Sequence, residues 1–175
     1  LVLMAAFIPL LHLDTLELAG SLRTRWGLFK TEAPGYRLLG IRGKAKGTEE
    51  SDDKFGAYPA AQKWVELSNL RSEIARRADA LLPPGIEFGR IFFEMIDGEI
   101  DWQREASAYF DRWTRAILPI RTNPQTLLIY GTETLSPGQG WLTLVSPKLP
   151  HAAINMGDNP LVMLVLDFRK KDPVE

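Results

Sequence analysis

The carboxy-terminal part of the chain contains a single histidine, His151, whose side chain could take part in metal binding or catalysis. It follows a short apolar segment at residues 141–145 and two prolines, and it precedes a turn at residues 156–160 and a run at 162–168 that is apolar on both faces. This pattern predicts two β-strands with the histidine between them. A histidine in that position could bind a metal ion or transfer a proton, or it could be an ordinary core side chain.

The amino-acid composition limits which metal sites and which binding partners are plausible. The 175 residues include no cysteine and two histidines, His12 and His151, so a metal site would need carboxylate or amide oxygens beside the imidazoles. The formal net charge is −1 and the sequence pI is about 6.2, a balance that gives no electrostatic signature of nucleic-acid binding. A small-molecule substrate is therefore the expected partner, with a homodimer left open.

The amino-terminal part is predicted to support the rest of the fold. Residues 1–13 are apolar but too short to span a bilayer, which favours a buried strand in a cytoplasmic protein without membrane association. Asp14 and Glu17 have the spacing of a capping box, so a helix is expected to begin there. We interpret His12 and Asp14 as the approach to this helix, although their spacing also fits a metal motif.

A glycine-rich stretch and a long helix are expected next. Residues 34–58 contain five glycines and the charged run 48–54, which predicts a loop, with a lid over a ligand as the functional alternative. Residues 61–82 have an apolar stripe at helical spacing and are followed by Pro83 and Pro84, which predicts a helix packed on a sheet.

The remaining segments are short, apolar and closely spaced. They predict strands at residues 87–96, 113–120, 126–130, 141–145 and 162–168. Helices followed by many short strands indicate a mainly β fold with bracing helices. We expect one domain, with a helical and loop-like support at 1–84 and a β core at 85–168.

Several motifs resemble a known family. The segment His151-Ala-Ala-Ile-Asn155, with the turn Gly157-Asp158-Asn159-Pro160, is similar to the second half of the aspartyl/asparaginyl β-hydroxylase-like family, which includes the bacterial free-proline hydroxylases. Upstream, Phe88-Gly89-Arg90-Ile91 and the segment 115–124 extend the resemblance over about residues 85–168. It implies a double-stranded β-helix, a jelly-roll or cupin-like barrel. It also implies a dioxygenase that uses iron(II) and 2-oxoglutarate to oxidise an amino-acid-like or secondary-metabolite substrate.

The resemblance also implies a ligand set for the metal. Such oxygenases hold iron with two histidines and one carboxylate, and the matching positions in this sequence are Gln103, Glu105 and His151. Glu105 keeps a carboxylate, but Gln103 replaces a histidine with a weaker amide ligand. Iron would therefore depend on His151 and Glu105. Gln103 and Glu105 alternate to one side of an extended segment, although a solvent-facing loop is the alternative.

The cosubstrate site differs from the family pattern as well. The arginine that would begin the last strand and pair with the far carboxylate of 2-oxoglutarate is Leu161 here. Arg115 or Arg121 could supply that cation instead, as could Arg90. The resemblance of Arg115 to a family arginine that helps to hold a carboxylate favours an acidic ligand.

Three functions are consistent with these residues. The first is an iron(II)- and 2-oxoglutarate-dependent oxygenase with an altered ligand set. The second is a metal-independent catalyst, such as a cyclase, isomerase or dehydratase, in which His151 and Glu105 form an acid/base pair. The third is a non-catalytic binding subunit that keeps only the fold.

Overall fold

The structure, a computed structural model, describes residues 6–44, 55–105 and 108–172. These residues contain two α-helices, α1 (Leu16–Arg23) and α2 (Val65–Leu81), and three short 3₁₀ turns. They also contain twelve β-strands: β1 Phe7–His12, β2 Lys30–Ala33, β3 Tyr36–Lys44, β4 Phe55–Ala57, β5 Ile86–Ile96, β6 Glu99–Gln103, β7 Thr114–Arg121, β8 Thr126–Tyr130, β9 Glu133–Leu135, β10 Trp141–Val145, β11 His151–Asn155 and β12 Leu161–Lys170. The predicted mainly β fold with bracing helices is confirmed.

The strands form two antiparallel sheets. The larger has the order β1-β10-β7-β12-β5-β3-β2, with β4 paired to β3, and the smaller has the order β6-β11-β8-β9. The inner faces of the two sheets share one apolar cluster, in which Leu128 and Tyr130 of the small sheet join Ile117 and Met163 of the large one. The two sheets therefore enclose the interior of a barrel.

Helix α2 covers the outer face of the large sheet. Its buried side chains, Leu67, Leu70 and Ile74, join the main apolar core, and Trp64 just before the helix stacks on Phe93 with ring centroids 5.3 Å apart. The central strand β12 is thus buried on both faces, which explains why its run lacks polar alternation. None of the helices in the described part of the chain is long and apolar enough to cross a bilayer.

The strands predicted at 126–130 and 141–145 match β8 and β10, and those at 87–96, 113–120 and 162–168 match β5, β7 and β12 to within two residues.

The prediction of a loop at residues 34–58 is wrong for the part of this segment that the structure describes. Residues 36–44 are β3, which pairs with β5. A Cβ atom at Gly40 would lie 2.7 Å from the Tyr58 ring, so this glycine permits close packing and does not mark a turn. The charged run at 48–54 lies outside the described residues.

Two further segments are strands instead of connections. Residues 99–103 form β6, and His151 begins β11, which lies between β6 and β8. The amino-terminal part also does more than support the barrel, because β1, β2, β3 and β4 all belong to the large sheet. The sheet therefore draws on both sides of the expected boundary at residues 84–85.

Candidate active site in the barrel

A cavity of about 180 Å³ lies between the two sheets. One part of its lining is apolar and comes from strands of both sheets, as with Ile117, Leu128 and Met163. The other part carries groups that can hydrogen-bond or titrate, contributed by β3, β5, β6, β7, β8 and β11: Tyr36, Arg90, Glu94, Gln103, Glu105, Arg115, Tyr130 and His151. Such a mixture of apolar walls and convergent polar groups is typical of a small-molecule site.

The structure brings together the three residues that the family pattern assigns to the metal. His151 and Gln103 are direct partners in the antiparallel pairing of β11 with β6, and both line the cavity. Glu105 follows β6, where its backbone N–H donates to the carbonyl of Pro147 at 3.0 Å, and its side chain lines the same cavity. Their proximity follows from strand pairing across 48 residues.

His151 is held in one orientation and one tautomer. Its Nδ1 lies 2.9 Å from the carbonyl oxygen of Leu149. Because a carbonyl can only accept, Nδ1 must carry the hydrogen, and in the neutral ring the lone pair is on Nε2. The ring of Tyr130 stacks on the imidazole with centroids 4.8 Å apart and planes 10° apart. His151 thus has the arrangement of a positioned base or of a metal ligand.

Arg115 lies at the wall of the cavity with nearly all of its surface buried. Its Nε donates to one oxygen of Asp167 at 2.7 Å, and its Nη2 donates to the other oxygen at 3.0 Å. The third nitrogen, Nη1, lies 3.7 Å from a Glu105 oxygen, which is an ion pair but not a hydrogen bond. Burial acts to lower the pKa of Arg115, but the hydrogen bonds and charge of Asp167 outweigh it and raise the pKa.

Glu94 is a site residue that the sequence analysis did not identify. It lies on β5 with Phe92 and Ile96 on the face that lines the cavity, and it accepts a hydrogen bond of 2.9 Å from the hydroxyl of Tyr36. Burial raises the pKa of Glu94, although the charge of Arg115 and the Tyr36 hydrogen bond oppose that shift. The signal in the sequence was a carboxylate at the same strand parity as the apolar residues Phe92 and Ile96.

Two other positions considered for the cosubstrate site, Arg121 and Leu161, do not line this cavity. Arg121 does not line this cavity; it bonds the side-chain oxygen of Asn159 and lies over the ring of Trp26 at 5.3 Å. Leu161 is completely buried in the apolar cluster between the sheets. The described residues therefore place no arginine at the start of the last strand, and Arg115 and Arg90 are the arginines that line the cavity.

The donor set in the cavity does not fit an iron(II) facial triad. Within the described ranges no three histidine, cysteine, aspartate or glutamate side chains are grouped so that they could hold a metal ion. Gln103 offers a neutral amide where an imidazole is needed, and Glu105 is drawn toward the charge of Arg115. His151 is left as the one strong nitrogen donor in the cavity lining.

Comparison with known proteins gives information on the fold alone. No protein-family model matches the chain, and no curated protein sequence matches it. Solved structures do match. An oxidoreductase of the 2OG-Fe(II) oxygenase family from Burkholderia pseudomallei superposes with a TM-score of 0.64 and 13% identity, covering 97% of this chain and 86% of that one.

Two further solved structures have the same architecture. The non-heme alpha ketoglutarate dependent epimerase SnoN from nogalamycin biosynthesis matches with a TM-score of 0.66 and 11% identity, over 94% of this chain and 78% of its own. A Pseudomonas putida prolyl-4-hydroxylase matches with a TM-score of 0.53 and 15% identity, over 95% and 94% of the two chains. The chain has the double-stranded β-helix fold. The fold predicted from the sequence is confirmed, whereas the aspartyl/asparaginyl β-hydroxylase-like family remains a prediction.

Replacing Asp167 by asparagine should destabilise the protein strongly. The substitution keeps the shape of the side chain but leaves the buried Arg115 charge without its main partner, a loss that typically costs about 3–5 kcal/mol. Urea unfolding monitored by tryptophan fluorescence measures this. Asp101→Asn, at an exposed position on β6, is the control and should stay within about 0.5 kcal/mol of the unaltered protein. Equal stability of the two variants would contradict the assigned role of the pair.

Proposed function

We propose that the protein is a small-molecule enzyme that carries out acid–base chemistry in the barrel cavity without a metal ion. The observation that carries this proposal is the orientation of His151. Its Nδ1 hydrogen is donated to the Leu149 carbonyl, so Nε2 is the proton-accepting atom in a cavity whose other titratable groups include two carboxyls, Glu94 and Glu105. A positioned imidazole with a carboxyl group nearby is the minimum that proton transfer requires.

The roles of the groups follow from their surroundings. His151 takes a proton from the substrate at Nε2, and the Leu149 carbonyl and the Tyr130 ring hold the resulting imidazolium in place. The His151 imidazolium then returns the proton to a second atom of the substrate. The carboxylates of Glu94 and Glu105 accept hydrogen bonds from the substrate and orient it in the cavity. The net reaction is an isomerisation, a cyclisation or a loss of water, with no change in the oxidation state of the protein.

The fold supports the location of this chemistry but not its type. A non-heme alpha ketoglutarate dependent epimerase and a prolyl-4-hydroxylase have the same barrel, and one fold commonly hosts several reactions. The type of reaction is inferred from the donors that this chain offers, which are one imidazole and carboxyls.

The proposal predicts that the protein does not bind iron(II) with 2-oxoglutarate. Anaerobic addition of both to metal-free protein should give no visible charge-transfer band and no rise in melting temperature, while a library of small metabolites should contain ligands that raise it. His151→Ala should remove turnover of any substrate found among them. His12→Ala is the matched control, because His12 packs against Trp141 and does not line the cavity. A stoichiometric charge-transfer band would overturn the proposal.

An iron(II)- and 2-oxoglutarate-dependent oxygenase is a second candidate, favoured by one observation. Gln103, Glu105 and His151, the three positions matched to the metal ligands of the resembling family, line the same cavity, and two of them are strand partners. Under this candidate His151 and Glu105 would hold the iron, Gln103 or water would complete the set, and the substrate would be an amino-acid-like compound or a secondary metabolite.

Gln103→His tests whether the barrel keeps the geometry of a metal site. If it does, the second imidazole opposite His151 should tighten binding of cobalt(II), an iron(II) substitute, by at least about tenfold. Calorimetry of the unaltered and variant proteins measures the change, and Gln125→His is the control outside the cavity. No gain in affinity would count against the second candidate.

A further inference from the structure

Arg115, one of the two arginines that line the cavity, is already committed to the protein's own carboxylates. All three nitrogens of Arg115 face carboxylates, two toward Asp167 and one toward Glu105. A ligand carboxylate could bind Arg115 only by displacing one of them. Arg90 lies over the ring of Tyr109 at 4.2 Å, and it is four residues from Glu94 along β5, roughly 13 Å in an extended strand. An acidic ligand beside Glu94 would therefore have to displace a carboxylate from Arg115, whereas Arg90 lies farther along the strand.

The carboxylates, in contrast, retain capacity to accept hydrogen bonds. The charged residues in and directly behind the cavity lining are Arg90, Arg115, Glu94, Glu105 and Asp167, which give an excess of one negative charge when all are ionised. Tyr36 donates to one oxygen of Glu94, and no other described residue donates a side-chain hydrogen bond to that carboxyl. Its second oxygen is available to a ligand.

The walls beside Glu94 are aromatic. Tyr36, Phe92 and Tyr130 all line the cavity, and Arg115 already lies over the Phe92 ring at 5.3 Å. Aromatic faces attract cations, and they do so more strongly when water is excluded. An ammonium group next to Glu94 would therefore be favoured by both its carboxylate and these rings.

We propose that the cavity selects a small ligand with a primary or secondary amine, and that Glu94 accepts the hydrogen bonds of its ammonium group. The inference rests on the proposed function, in that it takes the barrel cavity as the small-molecule site. It differs from the expectation based on the sequence, in which Arg115 favoured an acidic ligand. The ligand supplies the cation that balances the excess negative charge, and it hydrogen-bonds the Glu94 oxygen that Tyr36 leaves unused.

Three compounds of equal size and different charge test the inference. Benzylamine is cationic at about pH 7, benzoate is anionic and benzyl alcohol is neutral. Calorimetry and thermal unfolding should show that benzylamine binds best, and that Glu94→Gln weakens its binding at least tenfold. The glutamine amide oxygen can still accept from Tyr36, so the fold should persist, as circular dichroism would confirm. Glu99→Gln, exposed on β6, is the matched control and should bind benzylamine as the unaltered protein does.

The outcomes separate this inference from the proposed function. Stronger binding of benzoate, or of benzyl alcohol, would overturn the inference and leave the cavity as a small-molecule site. Benzylamine binding that Glu94→Gln does not change would also overturn it. If none of the three compounds binds, the inference is overturned, and the proposed function is then decided by the metabolite library and the His151→Ala variant described above.

Discussion

The buried ion pair between Arg115 and Asp167 is the constraint on which the cavity depends. The two residues are cross-strand partners on β7 and β12, and Asp167 is completely buried. A buried charge without a partner costs several kcal/mol, so each residue requires the other. β12 lies at the centre of the large sheet. The pair therefore links the charged groups of the cavity to the stability of the core. It also removes Arg115 from easy use by a ligand and leaves carboxyl groups in excess.

This chain combines a barrel known from other proteins with a different set of donor side chains. The architecture matches 2OG-Fe(II) oxygenase structures over nearly the whole chain at low sequence identity. The donors do not follow the facial-triad pattern: an amide stands at Gln103, and a leucine at 161 is packed in the core. What remains is one imidazole with a fixed tautomer and a set of carboxyls. This difference in donors, and not the fold, is the basis for proposing proton transfer.

Much of the fold was predictable because local patterns and tertiary structure agree. The apolar runs that form β8, β10 and β12 have the composition of buried strands, and α2 has a clear apolar stripe. Strand β3 was missed because its glycines are typical of turns, whereas here Gly40 admits the ring of Tyr58. The family resemblance placed His151, Glu105 and Gln103 in one site, and the structure brings them to one cavity. Glu94 was missed because its partner Tyr36 is 58 residues away, and no local pattern reports such a contact.

The central claim is that His151 acts as a base and not as an iron ligand, and NMR of the protein with ¹⁵N-labelled histidine tests it most directly. With two histidines in the chain, His12→Ala assigns the spectrum. We expect the His151 ring to carry a hydrogen on Nδ1, and its Nε2 signal to stay unchanged when zinc(II), a diamagnetic substitute for iron(II), is added with 2-oxoglutarate. A stoichiometric shift of the Nε2 signal on that addition would contradict it.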